Sequence, residues 1–163
     1  LIVANSLYPP GDKNLKDKAT KALKIFPGNQ EFIGIYRQIA IGQIGVSAAA
    51  QYSKNGLKYF NETDYKNAAK EFEKAIESNP LDYTNYENAA TSNYMINNFD
   101  KALTQIDKVI DELNPLNGKC EYIKALIFIK MQDPVGACPL LEISVKSGFS
   151  QAQATFKQYC DRY

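Results

Sequence analysis

The side chains that could do chemistry are few, and what is missing decides most of the reading. The chain contains no histidine. That removes Ser-His-Asp and Cys-His catalysis, histidine general bases and every zinc site built on imidazole. The three cysteines, Cys120, Cys138 and Cys160, stand 18 and 22 residues apart, so they form no Cys-x-x-Cys pair. Carboxylate neighbours such as Asp111-Glu112 fall on helix faces expected to be solvated, where surface charge is the simpler explanation. Gly34, Gly42 and Gly45 do not make a dinucleotide fingerprint, and no Walker phosphate loop occurs. Asn61-Glu62-Thr63 matches a glycosylation sequon, as short turns often do by chance. No enzyme, no cofactor and no metal are expected from these residues.

The elements that position these groups follow from a repeat. Tyr52, Gly56, Tyr59, Ala68, Phe72, Ala75 and Pro80 form one set; Tyr86, Ala90, Ala102, Ile106 and Val109 repeat it 34 residues on. Ala125, Phe128, Ala137, Leu141 and Ser144 form a third set after a further 35 residues. A fixed period in this range means stacked helical hairpins. Only small side chains fit where two helices cross closely. Gly56 and Ala68, Ala90 and Ala102, and Ala125 and Ala137 are each 12 residues apart, which suits two helices joined by a turn. Ala69, one residue along, is expected to face outward. Pro80 and Pro115 end the second helices, because proline cannot continue the hydrogen-bond ladder. A non-repetitive helical bundle with chance alanines is the competing explanation.

These positions resemble the tetratricopeptide (TPR) repeat, most closely over 49–116 and again over 118–147. Tyr52 and Tyr86 stand where that repeat usually carries tryptophan; the third repeat has Glu121 there, with Tyr122 alongside. The second repeat holds one extra residue before Pro115. The resemblance implies an all-α fold, a right-handed α-solenoid of helix-turn-helix hairpins with a C-terminal capping helix. As a single domain it divides into a degenerate repeat plus an unpaired helix (1–48), repeats at 49–82, 83–117 and 118–149, and a capping helix at 150–163.

At the N-terminus, Ala19, Ala22, Leu23 and Ile25 before Pro27 repeat a second-helix pattern, with Asn14 as its cap. Leu1–Tyr8 and the Pro-Pro-Gly-Asp turn would complete the degenerate repeat. Asn29 caps a helix expected from about Gln30 to Gly42. Gly42, Gly45 and Ser47 mark a break before the first clear repeat; the alternative is one bent helix from 30 to 60. At the C-terminus, Asp133-Pro134 starts a helix that Gly148 ends. Ser150 with Gln153 forms a capping box for a last helix at about 151–161. The stretch Ala137–Tyr159 also resembles the Sel1-like relatives of TPR. Cys138 lies ten residues before Gly148 and Cys160 twelve after. On antiparallel helices that leaves a height difference of about 3 Å, so a disulfide is open to them. Two small buried thiols are the bland alternative. A bridge would imply an oxidising compartment such as a bacterial periplasm or envelope.

In TPR arrays the first helices of each hairpin line the concave face. The resemblance therefore places Ser53, Leu57 and Phe60, then Glu87, Thr91 and Tyr94, then Tyr122, Leu126 and Ile129 in a partner-binding groove. Such an apolar groove accepts an extended peptide or an amphipathic helix, unless the N-terminal helices fill it. Some TPR proteins grip a C-terminal carboxylate with a lysine and asparagine clamp. Asn88 and Lys119 match two of its five positions, but Ser53, Leu57 and Ile123 occupy the others, so tail binding of that kind is not expected.

Composition excludes little more. Hydrophobic residues make up 45% and charged residues 23%, with a net charge of +1. Nucleic-acid binding calls for a basic excess that is absent. No apolar run approaches the ~20 residues of a membrane span. The first residue is Leu1, which reads as a mature or trimmed piece of a longer protein. Lysine over arginine and abundant asparagine suggest an AT-rich bacterial genome. The function expected is a non-catalytic protein-protein interaction adaptor; the alternative is a structural, self-associating segment of a larger envelope protein. An envelope enzyme with this module would carry its catalysis elsewhere.

Overall fold

The computed structural model describes residues 13–36, 42–113 and 115–160. Nine helices occur among them: α1 (Lys13–Ile25), α2 (Gln30–Tyr36), α3 (Gly42–Asn61), α4 (Tyr65–Ser78), α5 (Tyr83–Met95), α6 (Phe99–Lys108), α7 (Lys119–Lys130), α8 (Pro134–Lys146) and α9 (Ser150–Tyr159). Each of α3–α4, α5–α6 and α7–α8 is an antiparallel hairpin. Each stacks on the next, and α9 covers the last.

The hairpins close on the small residues. Ala68, Ala90, Ala102, Ala125 and Ala137 are fully buried. A Cβ added to Gly56 would stand 2.7 Å from the Phe72 ring. That ring is itself fully buried with Ala68 and Ala89. Between the second and third hairpins, Tyr86, Ile106, Val109, Cys120 and Ile127 form the largest core cluster. Ala69 faces inward, contrary to the expectation that it points to solvent. The helices of an array are packed on more than one side, so a residue next to the hairpin contact can be buried too.

The three turns inside the hairpins repeat a single geometry. Thr63, Asn97 and Gln132 hold φ of 60°, 58° and 61°. Beyond each, the amide of Asp64, Asn98 or Asp133 donates to the carbonyl of Tyr59, Asn93 or Phe128 at 2.8–2.9 Å. This is a Schellman closure made without glycine. Two of the same residues then cap the next helix. Asp64 Oδ1 accepts from the Asn67 amide at 3.2 Å, and Asp133 Oδ1 accepts from the Gly136 amide at 2.9 Å.

The extra residue before Pro115 is absorbed inside the helix. α6 passes into a π-helical turn at Val109–Leu113, which keeps Val109 and Leu113 in the core. A π turn is how a helix takes an insertion without rotating the rest of its face.

Several expected boundaries move. Asn14 lies inside α1 instead of capping it. Asn29 does cap α2, its Oδ1 accepting from the Phe32 amide at 3.0 Å, but that helix is described only to Tyr36. Gly42 and Gly45 open α3 and do not break it. Ser150 is the first residue of α9, and Phe149 takes the cap position with no side-chain bond. The capping box with Gln153 is therefore not formed. Leu1–Tyr8, the Pro-Pro-Gly-Asp turn and residues 37–41 lie outside the described residues.

Two measurements check this architecture. Gly56→Ala should destabilise by about 1–3 kcal/mol through overpacking against Phe72, while Lys70→Leu on the exposed side of α4 should melt near wild type. Thr63→Gly should raise stability by about 0.5–1 kcal/mol, because a β-branched residue is strained at positive φ and glycine is not. Denaturant titration reads both, and a destabilised Thr63→Gly would show that the Thr63 side chain holds the turn.

Candidate functional site

The first helices of the hairpins, α3, α5 and α7, carry one stripe each at spacings of three and four, so each trio shares a helix face. On α3 the stripe is Ser53, Leu57 and Phe60. Leu57 is 47% exposed, and Ser53 and Phe60 are half-buried. Phe60 stands edge-on to Tyr65, ring centres 5.1 Å apart. On α5, Thr91 and Tyr94 are half-buried. Thr91 turns its hydroxyl to the Glu87 carbonyl at 2.7 Å, leaving its methyl free. Tyr94 leans on Phe99 at 6.4 Å. On α7, Leu126 and Ile129 are half-buried, Ile129 resting on the Ala125, Ala137 and Leu141 cluster.

Two of the expected groove residues are otherwise engaged. Glu87 is 2% exposed and offers no open carboxylate. Lys119 Nζ donates to Glu87 Oε2 at 2.7 Å, and the Cys120 thiol donates to Glu87 Oε1 at 3.4 Å. Burial first, then the neighbouring carboxylate, pushes the Cys120 thiol far above its ordinary range. It stays protonated and is no nucleophile. A carboxylate this deep is tolerated because an ammonium pairs with it. Tyr122 is held beneath the capping helix. Its ring lies 5.1 Å from Phe149 and its hydroxyl 3.3 Å from that of Thr155. Tyr122 therefore contributes to docking α9, and its loss should cost folding as well as any contact.

Sequence reasoning missed the Glu87–Lys119–Cys120 trio and a second buried polar group. There Asn98 Nδ2 donates to Asn93 Oδ1 at 3.2 Å and Asn93 Nδ2 donates to Gln105 Oε1 at 3.0 Å. The one available signal was a charged residue on a helix whose neighbours at Ala89 and Ala90 are core. Of the clamp positions, Asn88 is half-buried and Lys119 is spent on Glu87.

Cys138 and Cys160 are joined by a disulfide with Cα atoms 5.7 Å apart, tying α9 to α8. Cys120 is free and buried. Among the described residues no three His, Cys, Asp or Glu gather as a metal site, and no helix is long and apolar enough to cross a membrane. A cavity of about 460 Å³ lies where Leu23 and Ile33 of the α1–α2 hairpin face Leu81 and Leu113. Leu81 and Leu113 belong to none of the three stripes.

The stacked hairpins with one capping helix define a right-handed α-solenoid of the TPR type. No protein-family model matches the chain. It is similar to the tetratricopeptide repeat and J domain-containing co-chaperone DNJ1 of Cryptococcus neoformans var. grubii serotype A, with 28% identity over 102 residues. That match takes in 63% of this chain and only 19% of the fungal protein. Among solved structures, the first TPR of Spaghetti (RPAP3), bound to the HSP90 peptide SRMEEVD, superposes with a TM-score of 0.66 at 17% identity. It covers 72% of this chain and 94% of that one. The TPR2B domain of yeast Sti1, in a pHsp70 complex, gives 0.65 at 22% identity, covering 72% and 99%. These likenesses establish the fold and speak to tetratricopeptide repeats, not to a Sel1-like end. The co-chaperone is fungal and lends nothing to a bacterial origin.

Cys138→Ser or Cys160→Ser should cost about 3 kcal/mol, the chain-entropy value for a loop near this length. Alkylation of denatured, unreduced protein should label one thiol and reduced protein three. Three labelled thiols without reduction would remove the bridge.

Proposed function

We propose that the chain is a non-catalytic adaptor that holds a peptide or helix of a partner protein in the concave groove of one TPR domain. The observation that carries this reading is the row of Leu57, Thr91, Tyr94 and Leu126. They run across three consecutive inner helices, and Leu57 is left 47% exposed. Apolar and aromatic side chains set in a concave surface are the usual anchors of an interface. The peptide complexes of the two similar structures support the same use of the fold. Ser53, Phe60 and Ile129 complete the walls of the proposed groove. Glu87 and Tyr122 contribute from behind, through Lys119 and the capping helix. No catalytic group, cofactor, metal or nucleic-acid surface enters the reading. The disulfide suits an oxidising compartment such as a periplasm or envelope.

A photo-reactive residue at Leu57 should give discrete adducts in the source cells, and the same group at Lys70 on the outer face should not. Adding Tyr94→Ala should weaken the Leu57 adducts by more than its lowered melting temperature accounts for, because Tyr94 also packs on Phe99 and the core. An adduct at twice the mass of the chain would favour the self-associating alternative. Equal adducts from both positions would sink the groove.

A further inference from the structure

On the groove reading, the chemistry of the partner is set where α5 meets α7. Lys119 lies in line with Tyr122, Leu126 and Ile129 on α7, three, seven and ten residues before them. Its side chain is 35% exposed, so it can be reached from solvent. It does not present a free charge, because its ammonium is 2.7 Å from a Glu87 carboxylate whose side chain is 3% exposed. The second oxygen of Glu87 is occupied by the Cys120 thiol. A carboxylate-bearing segment arriving here meets a pair that is already neutral. To share Lys119 it must bring a second carboxylate beside the buried Glu87, with one ammonium to balance two negative charges. Of the remaining clamp positions, Ser53, Leu57 and Ile123 carry no basic group, and Ile123 is buried. A neutral segment disturbs none of this and still covers Leu57, Tyr94 and Leu126.

We infer that Glu87 is a specificity-determining residue: it silences Lys119, so the groove rejects acidic peptide tails and takes a segment that is uncharged where it passes α7. Glu87 acts through Lys119 and need not touch the partner. It therefore separates this chain from the solved structure whose groove holds the acidic peptide SRMEEVD.

Fluorescence anisotropy with labelled SRMEEVD tests the assignment on the full chain. The wild-type chain should bind it at least tenfold more weakly than Glu87→Gln, which keeps the shape of the side chain and releases the lysine. The gain should vanish in Glu87→Gln/Lys119→Ala and should fall steeply with added salt. A merely structural role for Glu87 predicts only a lower melting temperature and no gain of binding. Should Glu87→Gln melt below the assay temperature, Glu87→Met, unbranched and of similar volume, releases Lys119 in the same way. Equal affinity of the wild-type and released chains for SRMEEVD would overturn the assignment, as would a gain that survives loss of Lys119. Neither outcome touches the groove itself, which the Leu57 adducts read independently.

Discussion

Everything in this molecule depends on how closely two helices can approach. The first hairpin is set by Gly56, whose missing side chain is the space the Phe72 ring occupies. The later hairpins use paired alanines, each fully buried. A short interaxial distance forces the larger side chains into rows beside the crossing, where they interdigitate with the next hairpin. The proposed groove would be a by-product of that packing. Inner helices held this near one another must turn one face away from the core, and on that face Leu57, Thr91, Tyr94 and Leu126 remain reachable.

Most polar atoms inside the array satisfy each other, Asn85 Oδ1 being buried without a hydrogen-bond partner among the described residues. Glu87 lies in the interior only because Lys119, on the neighbouring hairpin, delivers an ammonium to it. Asn93, Asn98 and Gln105 form a similar closed set within the second hairpin. These groups fix the register between helices more strictly than alanine contacts do, since a shift of one residue would leave a charge or an amide buried and unpaired. The Glu87–Lys119 pair thus joins the second hairpin to the third as well as neutralising both charges.

The period and the small residues were legible because they express one steric rule repeated three times. The one-residue insertion before Pro115 was visible too, though its accommodation as a π turn at Val109–Leu113 was not. Spacing shows that a residue is extra, not which backbone geometry absorbs it. Glycines misled at Gly42 and Gly45, since an isolated glycine reads the same at a helix start as at a break. Ser150 misled in the opposite way: its cap pattern is local, and the Phe149 contact with Tyr122 set the helix start one residue earlier. At the site, helix phase located the stripes but could not separate open positions from covered ones. Glu87 and Tyr122 share the phase of Thr91 and Leu126 and differ only in what lies against them, namely Lys119 from one hairpin and α9 from another. Contacts between elements far apart in the chain leave no trace in a local pattern.

The bridge between Cys138 and Cys160 gives the stack a direction. A linear array of hairpins opens from its ends, because an end hairpin has a neighbour on one side only. At one end α9 is stitched covalently to α8, so the last hairpin cannot peel away from its cover. The remaining cysteine, Cys120, is free and buried, so no second bridge ties the hairpins together. Reducing agents would act on that end alone: with the bridge cut, α9 is held to α8 only by side-chain packing, as the other helices are held to each other.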